Sequence, residues 1–359
     1  MKARIQENVA LSPLTTFGIG GAARYFVRAP VEDAVLEAIR FAVDRNLPIF
    51  VLGGGSNLLV ADRGFPGLVI RVGITGIEWE MQRDQTIVRA GAGEDWDGLV
   101  KSCVDRELAG IECLSGIPGS VGGTPVQNVG AYGQEVSEVL VIVRAYDRKT
   151  DSLVELSRED CRFTYRTSLF NTTAKDRYVV LQVTYSLTQN GPPAIRYPEV
   201  QREFDSKTAN PTLAEVREAV RCIRARKAML LVEGDPDCRS AGSFFKNPIL
   251  GESQFAALEA VLPGERVPRY PAAPGKVKTA SGWLIERAGF SKGYSVGPAG
   301  LSTKHALALV NKGGATAEDV LRLAREIRNR VQEKFGVRLI PEPVFLGFDK
   351  EVITEFFGY

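Results

Sequence analysis

The strongest constraint on this chain is a glycine-rich segment, 115-SGIPGSVGGTPVQNVGAYG-133. Glycine is unfavourable inside helices and strands, so we expect an irregular loop here. The loop also carries apolar residues such as Ile117, Val121 and Val126, which indicates burial and not a flexible linker. A buried loop needs partners for its backbone N–H and C=O groups, and a large polar cofactor would supply them. A purely structural loop stays an open alternative.

A second glycine-rich loop, 53-GGGSN-57, follows the apolar run 47-LPIFVLG-53. The strand RYFVRA (24–29), a helix after Pro30 and this second strand together predict a βαβ unit with a parallel pair. In such a loop, bare backbone N–H groups with Ser56 and Asn57 could hold a phosphate. A tight turn is the structural alternative.

Composition narrows the class of protein. A chain of 359 residues predicts two or three domains. The net charge of +2 argues against a nucleic-acid surface as the main function, and the basic run 221-RCIRARK-227 is interpreted as a solvated helix face. A single histidine, His305, and five cysteines without a CxxC pair exclude a His-rich metal site and favour reduced thiols in a cytoplasm. We expect no membrane insertion and no signal peptide.

Helical and strand patterns alternate in three consecutive blocks, which predicts an α+β fold. The predicted domains are residues 1–75, 76–210 and 211–359. The third block contains 241-AGSFFKNP-248, in which Ser243 follows a glycine. Taken alone, a Gly-Ser pair favours a turn.

Seven motifs in order carry a family resemblance: TTFGIGG, VLGGGSN, SGIPGSVGGTPVQNVGAYG, YRTSLF, AGSFFKNP, SGWLIERAGF and PEPVFLG. From about residue 14 to residue 347 the chain resembles the UDP-N-acetylenolpyruvoylglucosamine reductases. The resemblance implies a two-lobed FAD-binding domain of the vanillyl-alcohol-oxidase type and a separate C-terminal substrate domain. It also implies that NADPH reduces FAD, which then reduces UDP-N-acetylglucosamine enolpyruvate to UDP-N-acetylmuramate, a cytoplasmic peptidoglycan precursor in bacteria.

The resemblance assigns site residues as well. The implied catalytic residues are Arg166, Ser243 and Glu342. The implied FAD-binding residues are Gly53, Gly54, Gly55, Ser56, Asn57, Ser115, Gly116, Ile117, Pro118, Gly119, Gly122, Gly123, Gln127, Asn128, Gly130 and Tyr132. The implied substrate contacts are Tyr197, Lys227, Asn247 and His305. No metal is expected, and a monomer is expected.

The chemistry agrees with the three catalytic assignments. Hydride addition to the enolpyruvyl double bond leaves negative charge beside the carboxylate, which the planar fork of Arg166 can bind. A protonated Glu342 could donate a further hydrogen bond. Ser243 could protonate the carbanion, because a positioned hydroxyl suffices for so strong a base. Without the family pattern, Arg166 reads as a surface ion-pair partner and Glu342 as an exposed strand-end residue.

Two departures and two alternatives remain. The linker VEGDPDCRS differs from the family's shorter one, which leaves the register around Lys227 open, and Val344 stands where many relatives have an arginine. The nearest alternative function is another FAD oxidoreductase acting on a sugar or an alcohol. Since no histidine precedes His305, we expect non-covalent flavin in either case. A nucleotide-binding module without catalysis is the alternative from a different class.

Overall fold

Helices and strands follow the hydrophobic periodicity of the chain in a computed structural model, which describes residues 4–205 and 210–358. The described residues form the α-helices α1 Glu32–Val43, α2 Trp96–Val104, α3 Pro198–Gln201, α4 Leu213–Arg226, α5 Glu252–Ala260, α6 Ser281–Arg287, α7 Ala317–Phe335 and α8 Lys350–Phe357. They form the strands β1 Gln6–Ala10, β2 Ala22–Ala29, β3 Ile49–Leu52, β4 Leu58–Val60, β5 Phe65–Val72, β6 Ile77–Gln82, β7 Gln85–Gly91, β8 Leu108–Ala109, β9 Gly130–Ala131, β10 Gln134–Glu135, β11 Leu140–Asp147, β12 Ser152–Ser157, β13 Tyr178–Gln189, β14 Ile249–Gly251, β15 Tyr270–Pro271, β16 Lys276–Lys278, β17 Ser295–Val296, β18 Ala299–Leu301, β19 Leu309–Asn311 and β20 Val344–Leu346.

The chain divides into two compact units that interrupt each other along the sequence. Unit 1 comprises Met1–Val9, Ala23–Gly55 and Pro66–Leu231, and unit 2 comprises Ala10–Ala22, Ser56–Phe65 and Val232–Tyr359. Helix α4 therefore belongs to unit 1, although the sequence placed it at the start of a third domain. The three consecutive domain ranges stay a prediction.

Unit 1 contains a four-stranded sheet in the order β1-β2-β5-β3 and a larger sheet in the order β12-β11-β13-β7-β6. The predicted direct pair between the strands RYFVRA and LPIFVLG is wrong, because β5 lies between β2 and β3 and pairs in parallel with β3. Gly64 before β5, and Pro66 and Gly67 inside it, obscured this strand, whose residues 68–70 are fully buried. In the larger sheet, β13 joins two hairpins by pairing antiparallel with β11 and with β7.

The core of unit 2 packs against one face of the long helix α7. Thr316 begins this helix with a capping box, in which its hydroxyl accepts from the Asp319 N–H, and Gly336 ends it in the left-handed conformation. The buried face of α7 includes Leu321, Ile327 and Val331, which belong to one hydrophobic cluster with the two phenylalanines that follow Ser243. Helix α7 thus provides the core under the Ser243 segment.

Within residues 4–205 and 210–358, no helix combines the length and the apolar composition that crossing a bilayer requires.

Candidate active site

The two predicted cofactor loops pack against each other in unit 1. A Cβ atom on Gly54 would lie 2.5 Å from the Cα of Gly119, and one on Gly53 would lie 2.7 Å from the Ser120 hydroxyl. The contact at Gly54 is with backbone and leaves no room for a side chain, so packing requires this glycine, whereas the Ser120 hydroxyl can rotate away from Gly53. Gly123 differs, because no described atom lies within 4 Å of the position of its Cβ. Gly123 therefore borders open space.

Polar side chains inside the 115–133 segment shape the loop itself. The Ser115 hydroxyl donates to the Glu112 carbonyl at 2.6 Å. The Asn128 amide donates to the Glu135 carboxylate at 2.8 Å and to the Thr164 carbonyl at 3.2 Å. Asn128 thereby ties the end of the loop to the turn that carries Arg166. The other predicted cofactor residues of unit 1 are Gly55, Gly116, Ile117, Pro118, Gly122, Gln127, Gly130 and Tyr132.

Arg166 sits at the tip of a tight turn. Thr164 and Thr167 exchange two backbone hydrogen bonds of 3.0 Å, so Tyr165 and Arg166 form the two-residue loop between them. The side chain is half-buried, and its Nη2 donates to the Gly130 carbonyl at 2.7 Å. The guanidinium is therefore held against the glycine-rich segment.

Three predicted site residues have left-handed backbone conformations. The φ angles are 46° at Asn128, 49° at Tyr132 and 55° at Arg166. Residues with a side chain rarely adopt this conformation, and tertiary contacts must stabilise it.

The predicted substrate contacts of unit 1 are Tyr197, which packs against another tyrosine, and Lys227, which forms an ion pair. The ring of Tyr197 packs edge-on against that of Tyr132, with centroids 5.7 Å apart. Burial raises the pKa of Tyr132 to about 12, so its phenol remains a donor at neutral pH. The Lys227 ammonium is not directed to solvent alone: its Nζ donates to the Glu199 carboxylate on α3.

In unit 2, the segments of Ser243 and Glu342 are adjacent. The Glu342 N–H donates to the Phe244 carbonyl at 2.8 Å, and the Phe244 N–H donates to the Leu307 carbonyl at 2.8 Å. Asn57, predicted from the first cofactor loop, donates its side-chain amide to the Glu342 carbonyl at 3.4 Å. The segments that follow Asn57 and Glu342 are also paired, because β20 lies parallel to β4. The Val344 N–H donates to the Asn57 carbonyl at 3.0 Å.

Ser243 itself follows a left-handed residue, Gly242, whose φ is 71°. The serine is half-buried, and its hydroxyl has no hydrogen-bond partner among residues 4–205 and 210–358. The Gly-Ser pair therefore forms a turn, as its sequence indicates, and the residue with the turn conformation is Gly242 and not Ser243. The Ser243 hydroxyl remains available to a ligand.

The other predicted residues of unit 2 lie on neighbouring segments. The Asn247 side-chain oxygen accepts from the Ser281 N–H at 3.0 Å and so fixes the start of α6. The backbone N–H of His305 donates to the Ser302 hydroxyl at 3.2 Å, in the same loop as Leu307. Ser56 accepts at its carbonyl from the Thr16 hydroxyl at 3.4 Å. Val344, which replaces the family's arginine, is 39% exposed.

Sequence reasoning missed Arg224. Its Nε is buried and lacks a hydrogen-bond partner within the described residues, so the interpretation of 221–227 as a solvated face is wrong at this position. The interpretation as a solvated face is correct for Arg226, whose side chain is 56% exposed. Burial lowers the pKa of Arg224, which also shares a hydrogen bond with Tyr132. The spacing of Arg217, Arg221 and Arg224 along one helical face was the available signal.

These features fit the binding of an anionic group in unit 1. The open space at Gly123 offers room that a Cβ would fill, and the Arg224 Nε is an unsatisfied cationic donor. Residues 23–157 match the family model described as an FAD binding domain. The predicted cofactor, FAD, is thereby confirmed.

Comparison with whole proteins identifies the family. Residues 235–346 match the model of the UDP-N-acetylenolpyruvoylglucosamine reductase C-terminal domain. The UDP-N-acetylenolpyruvoylglucosamine reductase of Thermobifida fusca is 48% identical over 97% of this chain and 99% of its own length. That of Streptomyces coelicolor is 46% identical over 96% of this chain and 91% of its own.

The chain belongs to the UDP-N-acetylenolpyruvoylglucosamine reductase family. A crystal structure of the reductase from Thermus caldophilus agrees, with a TM-score of 0.67, 27% identity, and coverage of 96% of this chain and 99% of that one. The predicted α+β fold of the reductases, with an FAD-binding domain followed by a distinct C-terminal domain, is confirmed. The predicted oxidoreductase class is confirmed as well.

Proposed function

We propose that this protein reduces UDP-N-acetylglucosamine enolpyruvate to UDP-N-acetylmuramate with NADPH as the reductant, in the bacterial cytoplasm. The observation that carries the proposal is the backbone hydrogen bond between Glu342 and Phe244, which places Glu342 beside the Ser243 segment. The segments that carry Ser243 and Glu342 are thereby paired through their backbones in a reductase-family domain. The product serves peptidoglycan synthesis, and so cell shape and division.

FAD, when bound, carries a hydride from NADPH to the enolpyruvyl double bond. In unit 1, the backbone N–H groups around Gly53–Gly55 and along 115–133 would hold it, and Arg224 would contribute a fixed positive charge. Ser56 and Asn57, at the end of the first loop, are proposed to contribute as well.

Arg166 is proposed to bind the substrate carboxylate. Its bond to the Gly130 carbonyl uses Nη2, and the fork of a guanidinium offers further N–H groups for a bidentate contact. Negative charge that develops beside this carboxylate is stabilised by a donor that is already fixed in place. The turn at Thr164–Thr167 provides that fixation.

Ser243 is proposed to donate the proton that completes the reduction. Its O–H transfers a proton to the carbanionic carbon of the substrate, and solvent then returns a proton to the serine oxygen. Glu342 is proposed to hydrogen-bond the same region of the substrate, and Asn57 and Phe244 hold its backbone in place. Position contributes more than acidity here, because a carbanion is a far stronger base than a serine alkoxide.

Tyr197 and Lys227 of unit 1 are proposed to hold the UDP moiety. Asn247 and His305 of unit 2 are proposed as further substrate contacts. A phenol can donate to a diphosphate oxygen, and an ammonium supplies a point charge. Because Lys227 bonds Glu199, a diphosphate must compete with this carboxylate.

One experiment tests the activity directly. Purified protein is mixed with NADPH and the enolpyruvyl substrate, and loss of absorbance at the nicotinamide band is followed. We expect substrate-dependent consumption of NADPH. Consumption that requires a sugar or an alcohol and ignores the enolpyruvyl ether would instead identify another FAD oxidoreductase.

The mode of flavin attachment is tested separately. We expect a yellow protein that releases free FAD on denaturation by acid or heat, because no histidine precedes His305 in the chain. Flavin that stays on the denatured polypeptide would contradict the proposal, and so would a protein that binds no flavin.

A further inference from the structure

The carboxylate of Asp97, in the first turn of α2, joins the glycine-rich segment to α4. It accepts the backbone N–H of Gly116 at 2.6 Å. It also accepts two bonds from Arg217, at 2.5 and 2.9 Å, and one from Arg221 at 2.7 Å. Four N–H groups therefore converge on one carboxylate, three of them from α4.

Gly116 is a position where the backbone has little freedom to change. Its φ is 71°, and a Cβ there would lie 2.8 Å from Leu230 Cδ1 and 3.4 Å from the Nε of Arg224. Because a peptide unit is planar and trans, fixing the Gly116 N–H also fixes the Ser115 carbonyl, which must point the opposite way. Asp97 therefore sets the direction in which the loop begins.

Asp97 has a second effect, which concerns the positive charge of helix α4. Arg217, Arg221 and Arg224 lie on one face of α4 within about two turns, where like charges repel one another. Asp97 is paired directly with the first two, which leaves Arg224 as the arginine whose Nε has no partner among the described residues. Burial raises the pKa of Asp97, but the bonds from Arg217 and Gly116 outweigh it, so the pKa lies below its ordinary value and the carboxylate stays ionised.

We propose that Asp97 is a positioning residue for the cofactor: it orients the start of the FAD loop through Gly116 and neutralises Arg217 and Arg221, so that Arg224 remains for an anionic group of FAD. The inference rests on the proposed assignment of 115–133 to FAD. Asp97 contacts the loop and not the reacting atoms.

The matched control for Asp97 is Asp147. Asp147 also accepts a bidentate pair from one arginine, Arg177, at 2.9 and 2.5 Å, and one backbone N–H, that of Lys149, at 2.9 Å. Its side chain is 3% exposed, compared with 24% for Asp97. It lies at the end of β11, outside the predicted FAD residues, so its loss should destabilise the fold at least as much.

The test compares D97N and D147N as apoproteins to which FAD is added back. FAD affinity is measured from the quenching of flavin fluorescence, thermal unfolding is measured without FAD, and hydrogen exchange is followed in a peptide that covers Gly116. We expect D97N to weaken FAD binding by about tenfold or more and to speed exchange at Gly116, since a bond to a charged acceptor is lost. D147N should lower the unfolding temperature and retain the wild-type affinity for FAD.

Equal FAD affinities in D97N and wild type would overturn the proposal. So would a loss of affinity in both variants in proportion to their loss of stability, because that pattern describes a structural ion pair. If D97N fails to fold, R221Q carries the test: it removes one of the four bonds, and wild-type FAD affinity in R221Q would overturn the inference. A separate variant tests whether residues 115–133 bind FAD at all. Unchanged FAD binding in G123A would show that this assignment is wrong.

Discussion

The two units hold their predicted site residues in different ways. In unit 1 the side chains bind one another: Lys227 pairs with Glu199, and Arg166 donates to the Gly130 carbonyl. In unit 2, backbone hydrogen bonds at Phe244 and Glu342 hold the segment that carries Ser243. The Ser243 hydroxyl has no hydrogen-bond partner among the described residues. Lys227 and Arg166 in unit 1 must exchange or share internal contacts to bind a ligand, whereas the Ser243 hydroxyl in unit 2 needs no such exchange.

This difference matches the two halves of the proposed reaction. Binding of cofactor and diphosphate can be adjusted by competing side chains, and unit 1 is rich in them. Proton transfer depends on the position of one hydroxyl, and a backbone-held segment defines that position better than a long side chain does. Substitutions at Tyr197 and Lys227 should therefore change affinities, and substitutions at Ser243 should change a single chemical step.

The largest effect on a reaction rate is expected from substitution of Ser243. In Ser243→Ala, NADPH should still reduce the flavin at the wild-type rate, whereas reoxidation by the enolpyruvyl substrate should slow by about 100-fold or more through loss of a positioned proton donor. Stopped-flow absorbance of the flavin separates the two half-reactions. The control is Ser295→Ala, an exposed serine of unit 2, which should leave both rates unchanged. Unchanged reoxidation in Ser243→Ala would reduce Ser243 to a residue that merely follows a turn.

The next effect separates a packing glycine from a ligand glycine in unit 1. In Gly54→Ala the new methyl group meets the Gly119 backbone, so the unfolding temperature of the apoprotein should fall. In Gly123→Ala that temperature should hold, because the methyl group enters open space. FAD affinity should nevertheless fall by about 10- to 100-fold if FAD fills that space, as expected when a well-packed site is overfilled by roughly 1–3 kcal/mol. Titration of both apoproteins with FAD checks this, and normal FAD binding in Gly123→Ala would contradict it.

A smaller effect is expected at Tyr197. Tyr197→Phe should weaken binding of the UDP-sugar by about 1–2 kcal/mol, the scale of one hydrogen bond to a charged acceptor. This is about 5- to 30-fold in the dissociation constant. FAD content and thermal stability should not change, since the ring can still pack against Tyr132.

Titration of the oxidised Tyr197→Phe protein through the flavin absorbance change measures that affinity. Tyr270→Phe is the control, because Tyr270 is 40% exposed and Tyr197 is 38% exposed. Wild-type affinity in Tyr197→Phe, or unfolding in place of weaker binding, would reject the role of Tyr197 in capturing the substrate.

Periodicity and motif order predicted much of this molecule. The helix after Pro30 forms as its pattern indicates, over Glu32–Val43. The prediction of neighbouring strands in the first sheet is wrong because β5 begins at Phe65 beside a proline and a glycine, which mask a buried strand. Local patterns do not report such long-range pairing.

The candidate site shows the same limit. Motifs pointed to Ser243, Glu342 and the glycine loops, because short sequences record local backbone demands. They gave no signal for Glu199, which meets Lys227 from a distance of 28 residues in the chain. For Arg224 the one signal was its spacing from Arg217 and Arg221, and this signal does not decide the matter, since a basic run has the same letters on a solvated face and beside an anion site.

The smallest predicted effect tests the competition at Lys227. In Glu199→Gln the carboxylate that binds Lys227 is neutralised, so the ammonium becomes available to the substrate diphosphate. Lys227 and Glu199 are 34% and 25% exposed, and ion pairs open to solvent contribute up to about 1 kcal/mol. We therefore expect the UDP-sugar to bind about two- to fivefold more tightly, with a steeper dependence on salt because one more charge is open to screening.

Glu203→Gln supplies the matched control for that competition, because Glu203 pairs with Arg226, the residue before Lys227 in the chain. It removes the same kind of charge from the same region, yet it should leave the affinity for the UDP-sugar unchanged. Lys227→Ala completes the comparison: it should weaken binding, and Glu199→Gln should then add nothing in the double variant, since the two residues act through one contact. Tighter binding in both glutamate variants would mean that general charge, and not the Lys227–Glu199 pair, sets the affinity. Weaker binding in Glu199→Gln would mean that the pair positions Lys227 for the substrate, and Lys227 would then need no exchange of contacts, as the Ser243 hydroxyl needs none.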